Sequence, residues 1–147
     1  MSLSQRITAE LKEAIKKKDA IRASCMRMLK TDIKNRQVEK GIDLEDKEIE
    51  SLVSSLIRKG KEAAKEFRGG GRLDLAEKEE EEIRIFYEFL PEQLDSADIE
   101  KKIKEIISEL SATGSVDLGK VMKAAMAQMA GRVQGREVNE IARKLLS

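Results

Sequence analysis

The sequence has no histidine and no tryptophan, a single cysteine, Cys25, and a single proline, Pro91. Without histidine the commonest general base is missing, and with it the Ser-His and Cys-His nucleophile pairs and most catalytic zinc sites. One cysteine allows no intramolecular disulfide and none of the spacings of a structural zinc site. Aromatic residues are only 3% of the chain, against the composition of a strand-rich protein. No segment approaches the roughly 20 apolar residues of a membrane span, and the N-terminus lacks an apolar signal core. These absences lead us to expect a protein with no membrane partner, no metal and no cofactor. Its expected place is the cytoplasm, or a compartment reached by a transit peptide.

What is present favours helix. Ala, Leu, Ile, Glu, Lys and Met dominate, and charged residues make up 39% of the chain. A chain of 147 residues can bury one sizeable core, or a bundle with a small satellite domain. Period-3.6 patterning predicts seven helices, over about 3–17, 19–40, a third after the expected caps Asp43 and Asp46, a fourth from Asp74, then about 97–110, 118–130 and 136–146. The first carries Leu3, Ile7, Leu11 and Ile15 on one stripe; the second buries Ile21, Cys25, Met28, Leu29 and Ile33. Gly69-Gly70-Gly71 ends the third, and Asp74 with Glu77 has the spacing of a capping box for the fourth. Pro91 to Ser96 reads as a linker, and Asp117 as the cap of the sixth helix. The expected architecture is all-α: an N-terminal four-helix bundle-like domain, 1–92, followed by a small three-helix C-terminal domain, 93–147.

The formal net charge of +1 hides an uneven distribution. Gln5 to Lys40 holds eleven basic against five acidic side chains, and Asp117 to Ser147 six against three, which leaves 41–116 strongly acidic. Basic ends around an acidic middle suggest surfaces of opposite character.

Three features that could carry chemistry have plainer readings. Cys25 needs a group that lowers its pKa, with Arg22 and Lys30 the nearby cations, yet its helical spacing with Ile21, Met28 and Leu29 is that of a buried, inert thiol. Glu77 and Glu79–Glu82 point about 100° apart in succession and cannot converge on one ion alone; they read as a solvated first turn. Arg68-Gly-Gly-Gly-Arg72 lacks the ending of a nucleotide-binding loop and follows no strand, so it reads as a hinge.

The last two helices are more informative. Leu118, Val121, Met122, Ala125 and Met129 share one face of the sixth, and Lys120, Lys123, Ala124 and Ala127 the opposite one. In the seventh, Val138, Ile141, Ala142 and Leu145 oppose Arg136, Asn139, Glu140 and Arg143. Arg132 lies in the turn between them. Cations beside small alanines suit contact with nucleic-acid phosphates, and Asn139 suits a ribose or a base edge. A helix-turn-helix reader of DNA is the other nucleic-acid option, but its second helix would be poor in base-reading side chains.

Two stretches resemble a known family. Gly71-Arg-Leu-Asp-Leu-Ala-Glu-Lys-Glu79 with Phe89-Leu-Pro-Glu-Gln-Leu94 is similar to the middle signature of the YqeY proteins. Gly119-Lys-Val-Met122, Gly131-Arg-Val-Gln-Gly135 and Val138-Asn139-Glu-Ile141 resemble their C-terminal signature. That family is in turn similar to the helical and tail domains of the B subunit of the glutamine-dependent aspartyl/glutamyl-tRNA amidotransferase, whose tail contacts the elbow of tRNA. The resemblance implies a non-catalytic tRNA- or RNA-binding module, with Gly119, Lys120, Lys123, Gly131, Arg132, Arg136, Asn139 and Arg143 as its RNA-facing residues and no catalytic residue. An accessory component docking on an amidotransferase subunit is the runner-up, and a protein-interaction scaffold the third reading. The family label of a carbon–nitrogen ligase with glutamine as amido donor belongs to the full-length subunit, whose catalytic cradle this sequence does not contain. The purified chain is therefore expected to show no glutamine-dependent amidation of mischarged tRNA. Turnover that survives repeated purification and disappears on Cys25→Ala would contradict this.

Overall fold

Polar side chains fix the starts of some helices, and turns through left-handed glycines lead into others. The computed structural model describes residues 1–147: seven α-helices, one 3-10 turn and no strand, in two units, Met1–Leu90 and Pro91–Ser147. In the first unit, the Ser2 hydroxyl accepts the Gln5 backbone N–H at 3.2 Å and the Gln5 side chain accepts the Ser2 N–H at 3.0 Å, so α1 (Leu3–Lys16) opens on a reciprocal cap. Asp19 caps α2 (Ala20–Lys40) by accepting the Arg22 N–H at 3.1 Å, and Gly41, at φ +73°, ends it in the left-handed conformation.

The start of α3 (Asp46–Gly69) corrects the expected cap. Neither Asp43 nor Asp46 serves; Glu45 is the cap residue, and the Glu48 carboxylate accepts its N–H at 3.3 Å. Asp46 acts elsewhere: its Oδ1 accepts the Leu3 N–H at 3.1 Å, satisfying a donor that the first turn of α1 leaves free. The expected Asp74 cap is also displaced. Helix α4 (Leu73–Tyr87) begins one residue earlier, after Gly71 at φ +76°, and Asp74 pairs with Arg72 at 3.3 Å. That guanidinium holds the Asp74 carboxyl below its ordinary range.

The core of this unit joins Ile7, Met26, Leu29 and Ile33 to Ile49, Val53 and Ile57 and to Ile83, Ile85, Phe86 and Phe89. Two expected core residues lie outside it. Ile15 is 52% exposed and Met28 38%, their places taken by Ala14 and Met26, one position earlier on α1 and two on α2. A clamp of charge closes the edge of the bundle. Arg22 reaches Glu88 through both terminal nitrogens (3.1 and 2.9 Å), Arg6 binds Glu10 at 2.8 Å and the Glu88 carbonyl at 3.0 Å, and the Arg6 guanidinium lies 4.4 Å from the centre of the Phe89 ring. Paired carboxylates and a stacked cation thus tie α1 and α2 to the end of α4.

The second unit contains α5 (Ser96–Leu110), the 3-10 turn Ser115–Asp117, α6 (Leu118–Gln128) and α7 (Gly135–Leu146). Asp95 caps α5 by accepting the Asp98 N–H at 2.8 Å. Asp117, expected to cap α6, instead accepts the Thr113 N–H at 2.8 Å and braces the turn that precedes the helix. The core is wholly aliphatic apart from one thioether: Ile99, Ile103 and Ile106 meet Val121, Ala125, Met129, Val133, Val138, Ala142 and Leu146. Full burial of each of the larger side chains contributes roughly 1.5–3 kcal/mol, which sets the three helices face to face.

In the first unit α3 and α4 are in tight contact at Gly60, where a Cβ would stand 2.9 Å from Ile83 Cγ1 and 3.2 Å from its Cδ1. Gly60→Ala should destabilise that unit by about 1–2 kcal/mol, overpacking outweighing a gain of up to ~1 kcal/mol in helix propensity. In an Ile83→Ala background the same change should become neutral or stabilising. Denaturant titration of the four proteins measures the coupling.

Candidate nucleic-acid interface

The residues singled out in the C-terminal helices are positioned by a turn and by a strap across it. Between α6 and α7 the chain reverses through Gly131, at φ +77°, while Val133 plugs the turn into the core. The segment before α5 then binds this turn: Gln93 donates its side-chain N–H to the Gly131 carbonyl at 2.7 Å, the Leu94 N–H bonds the Arg132 carbonyl at 2.9 Å, and Arg132 Nε donates to the Glu92 carbonyl at 3.2 Å. By composition Pro91 to Ser96 reads as a linker. Its role in shaping the site is a long-range pairing that periodicity does not reveal.

On α6, Lys120 and Lys123 are exposed, Ala127 is exposed beside them and Ala124 is half-buried. Gly119 stands in open space, with nothing within 4 Å of an added Cβ. On α7, Arg136 and Arg143 are exposed and Asn139 half-buried, at i, i+3 and i+7, so the three share one face about 10 Å long. Charge neutralisation differs among the cations. Lys120 is 4.0 Å from Asp117 and Arg136 3.9 Å from Glu140, both at the edge of ion-pair range, whereas Lys123 and Arg143 have no carboxylate partner. Arg132 is exposed, yet its Nε holds the strap, so it carries a structural duty whatever else it contacts. Gln134, just before α7, was not singled out by the sequence; its side-chain nitrogen is buried without a hydrogen-bond partner.

The other candidate groups are fixed in place by burial or pairing. Cys25 is fully buried, and its thiol is pushed up to about 12, chiefly by burial and further by the nearby Glu82 carboxylate. It is protonated at neutral pH and shielded from reagents. The acidic run at the start of α4 is only partly the solvated turn expected: Glu80 pairs with Arg68, and Glu82 is 8% exposed. No three Cys, Asp or Glu side chains are placed to share a metal ion. An open cleft of about 350 Å³ between Glu10, Glu13, Lys17, Asp19, Arg22 and Glu88 is lined by charges that already pair with one another. No helix is long and apolar enough to cross a membrane.

Burial, together with repulsion from Glu79, raises the Glu82 carboxyl above its ordinary value. The folded state therefore binds this proton more tightly than the unfolded chain, and the ionised form opposes folding at neutral pH. Glu82→Gln should raise the melting temperature at pH 7. The difference should shrink as the pH falls through the folded-state pKa, because wild type recovers stability on protonation there. Thermal unfolding of both proteins from pH 7 to pH 4 reads this directly.

Among known proteins, the family described as Yqey-like protein matches residues 4–146. The chain is 35% identical over 104 residues to altered inheritance of mitochondria protein 41, mitochondrial, of Lachancea thermotolerans, covering 69% of this chain and 56% of the relative. The protein of the same name in Candida glabrata is 29% identical over 106 residues, with 69% and 58% covered. That of Clavispora lusitaniae is 27% identical over 126 residues, with 83% and 73% covered. The chain thus spans little more than half the length of the first two of these relatives.

Proposed function

The chain belongs to the Yqey-like protein family, and on that premise we propose that it is a non-catalytic module that binds structured RNA, transfer RNA foremost, through the outer faces of α6 and α7. The observation that carries this reading is the pair Lys123 and Arg143. Both are exposed, both lie opposite the faces that build the core, and neither has a carboxylate partner. Lys120, Arg136 and Arg132 extend the same positive character, and Asn139 sits between Arg136 and Arg143 on α7 with a side chain able to read a ribose or base edge. Small residues at Gly119 and Ala127 leave room for a sugar-phosphate backbone to approach. The resemblance of this C-terminal unit to the tail of the amidotransferase B subunit supports tRNA as the RNA class. Relatives named as mitochondrial make an organelle as fitting a place as the cytoplasm, since both hold tRNA.

The test leaves Arg132 untouched, because its loss would also release the Glu92 strap. Lys123→Gln with Arg143→Gln should weaken binding of a tRNA transcript and lower the log–log salt slope by about 0.7–0.9 for each lost phosphate contact. Asn139→Ala should cost roughly 1 kcal/mol with little change in slope, as for a neutral hydrogen bond. Fluorescence anisotropy across a salt series measures both. The reading fails if wild type binds no structured RNA at low salt, or if the double variant keeps wild-type affinity and slope.

A further inference from the structure

We propose that α2 presents a second RNA-backbone contact face, formed by Arg27, Lys30 and Lys34, so that the first unit also grips the ligand; this rests on the reading of the chain as an RNA binder. The three cations stand at i, i+3 and i+7 and lie within about 60° of one another around the helix, spread along about 10 Å of its length. All three are exposed, on a face turned roughly 100° from the one that buries Met26, Leu29 and Ile33. Thr31 completes the stripe. The acidic residues of α2 beyond its cap, Asp32 and Glu39, are at least about 120° away around the helix.

Several exposed cations elsewhere on the helices sit in ion pairs. Arg6 pairs with Glu10, Lys17 with Glu13, Lys104 with Glu100 and Lys102 with Glu105, and on α2 itself Arg22 pairs with Asp19 and Arg36 with Glu39. Arg27, Lys30 and Lys34 form no such pair. Like charges at these spacings weaken a helix, so the stripe works against the stability of the element that carries it. Helix α3 provides an internal comparison. Arg58, Lys61 and Lys65 have the same spacing there, but Glu62 stands where α2 has Thr31, and Lys61 lies 5.4 Å from the centre of the Tyr87 ring. None of these α3 cations forms an ion pair, but one helix sets a carboxylate beside the pattern and turns one of its cations to a ring, and the other sets a hydroxyl there.

An unpaired cationic stripe with a hydroxyl along its edge fits a phosphate backbone, which it meets without reading sequence. It does not fit insertion into a lipid surface, because the apolar face such a helix would insert is already buried in the core.

The experiment compares full-length wild type with Arg27→Gln/Lys30→Gln/Lys34→Gln, with the control Lys61→Gln/Lys65→Gln, and with the Lys123→Gln/Arg143→Gln protein, each titrated with a tRNA transcript across a salt series. Circular dichroism should show the α2 variant folded, with a melting temperature no lower than wild type, since repulsion is removed and no core residue changes. Its salt slope should fall by roughly two to three units, at 0.7–0.9 per contact, while the α3 control keeps the wild-type slope. An α2 variant with wild-type affinity and slope overturns the proposal, whatever the C-terminal variant does. If the α2 variant loses binding and the C-terminal variant does not, the α2 face stands and the C-terminal reading falls. Wild type that binds phosphatidylserine vesicles but no tRNA overturns both.

Discussion

Three hydrogen bonds between the segment 92–94 and the turn at Gly131 and Arg132 determine what the C-terminal unit can present. They close the open end of the unit and satisfy two backbone carbonyls of the turn, groups that would lose stability if left unpaired without water. They also fix the direction in which α7 leaves α6. The cations of the two helices are spaced by this reversal as much as by their own helical phase. The side chain of Arg132 is part of the strap, so a residue with the chemistry of a phosphate ligand is also a member of the scaffold.

In the first unit the comparable constraint is electrostatic. Arg22 is held by Glu88 and Glu10, and its hydrogen bonds to Glu88 raise its pKa above the ordinary guanidinium value. Its partners are also partly exposed, which makes the clamp a device for alignment more than for stability. The stability comes from the apolar contacts beneath it. With α1 and α2 locked against α4 in this way, Arg27, Lys30 and Lys34 on the exposed side of α2 stay outside these pairings.

Much of this was legible in the sequence, for reasons that particular residues show. The positions of the helices follow from apolar spacing and from glycines at Gly41 and Gly71, and the opposed faces of α6 and α7 follow from phase alone. What escaped depends on neighbours distant in the chain. Ile15 and Met28 have the right spacing for burial, but Ala14 and Met26 occupy the core because of how α1 and α2 are rotated against the rest of the bundle. Asp46 has the sequence of a local cap and serves another helix. Glu82 sits in an acidic run that looks solvated, and only the packing of α4 against its neighbours places it in the interior. Gly60 is an unremarked small residue until Ile83 is seen against it. In the candidate site, the exposure of Lys120, Lys123, Arg136 and Arg143 could be read from helical phase, whereas the strap that holds Arg132 could not.

The aliphatic make-up of the second core has a spectroscopic consequence. All four aromatic residues of the chain, Phe67, Phe86, Tyr87 and Phe89, belong to the first unit, and there is no tryptophan. Intrinsic ultraviolet absorbance and fluorescence therefore report on Met1–Leu90 alone, and the unit that carries the proposed RNA face melts or rearranges in optical silence. Backbone-sensitive signals see both units, so any mismatch between a far-ultraviolet and a tyrosine transition is a measure of how independently the two units unfold. A tryptophan placed on an exposed edge of α7 would give the second unit a voice of its own.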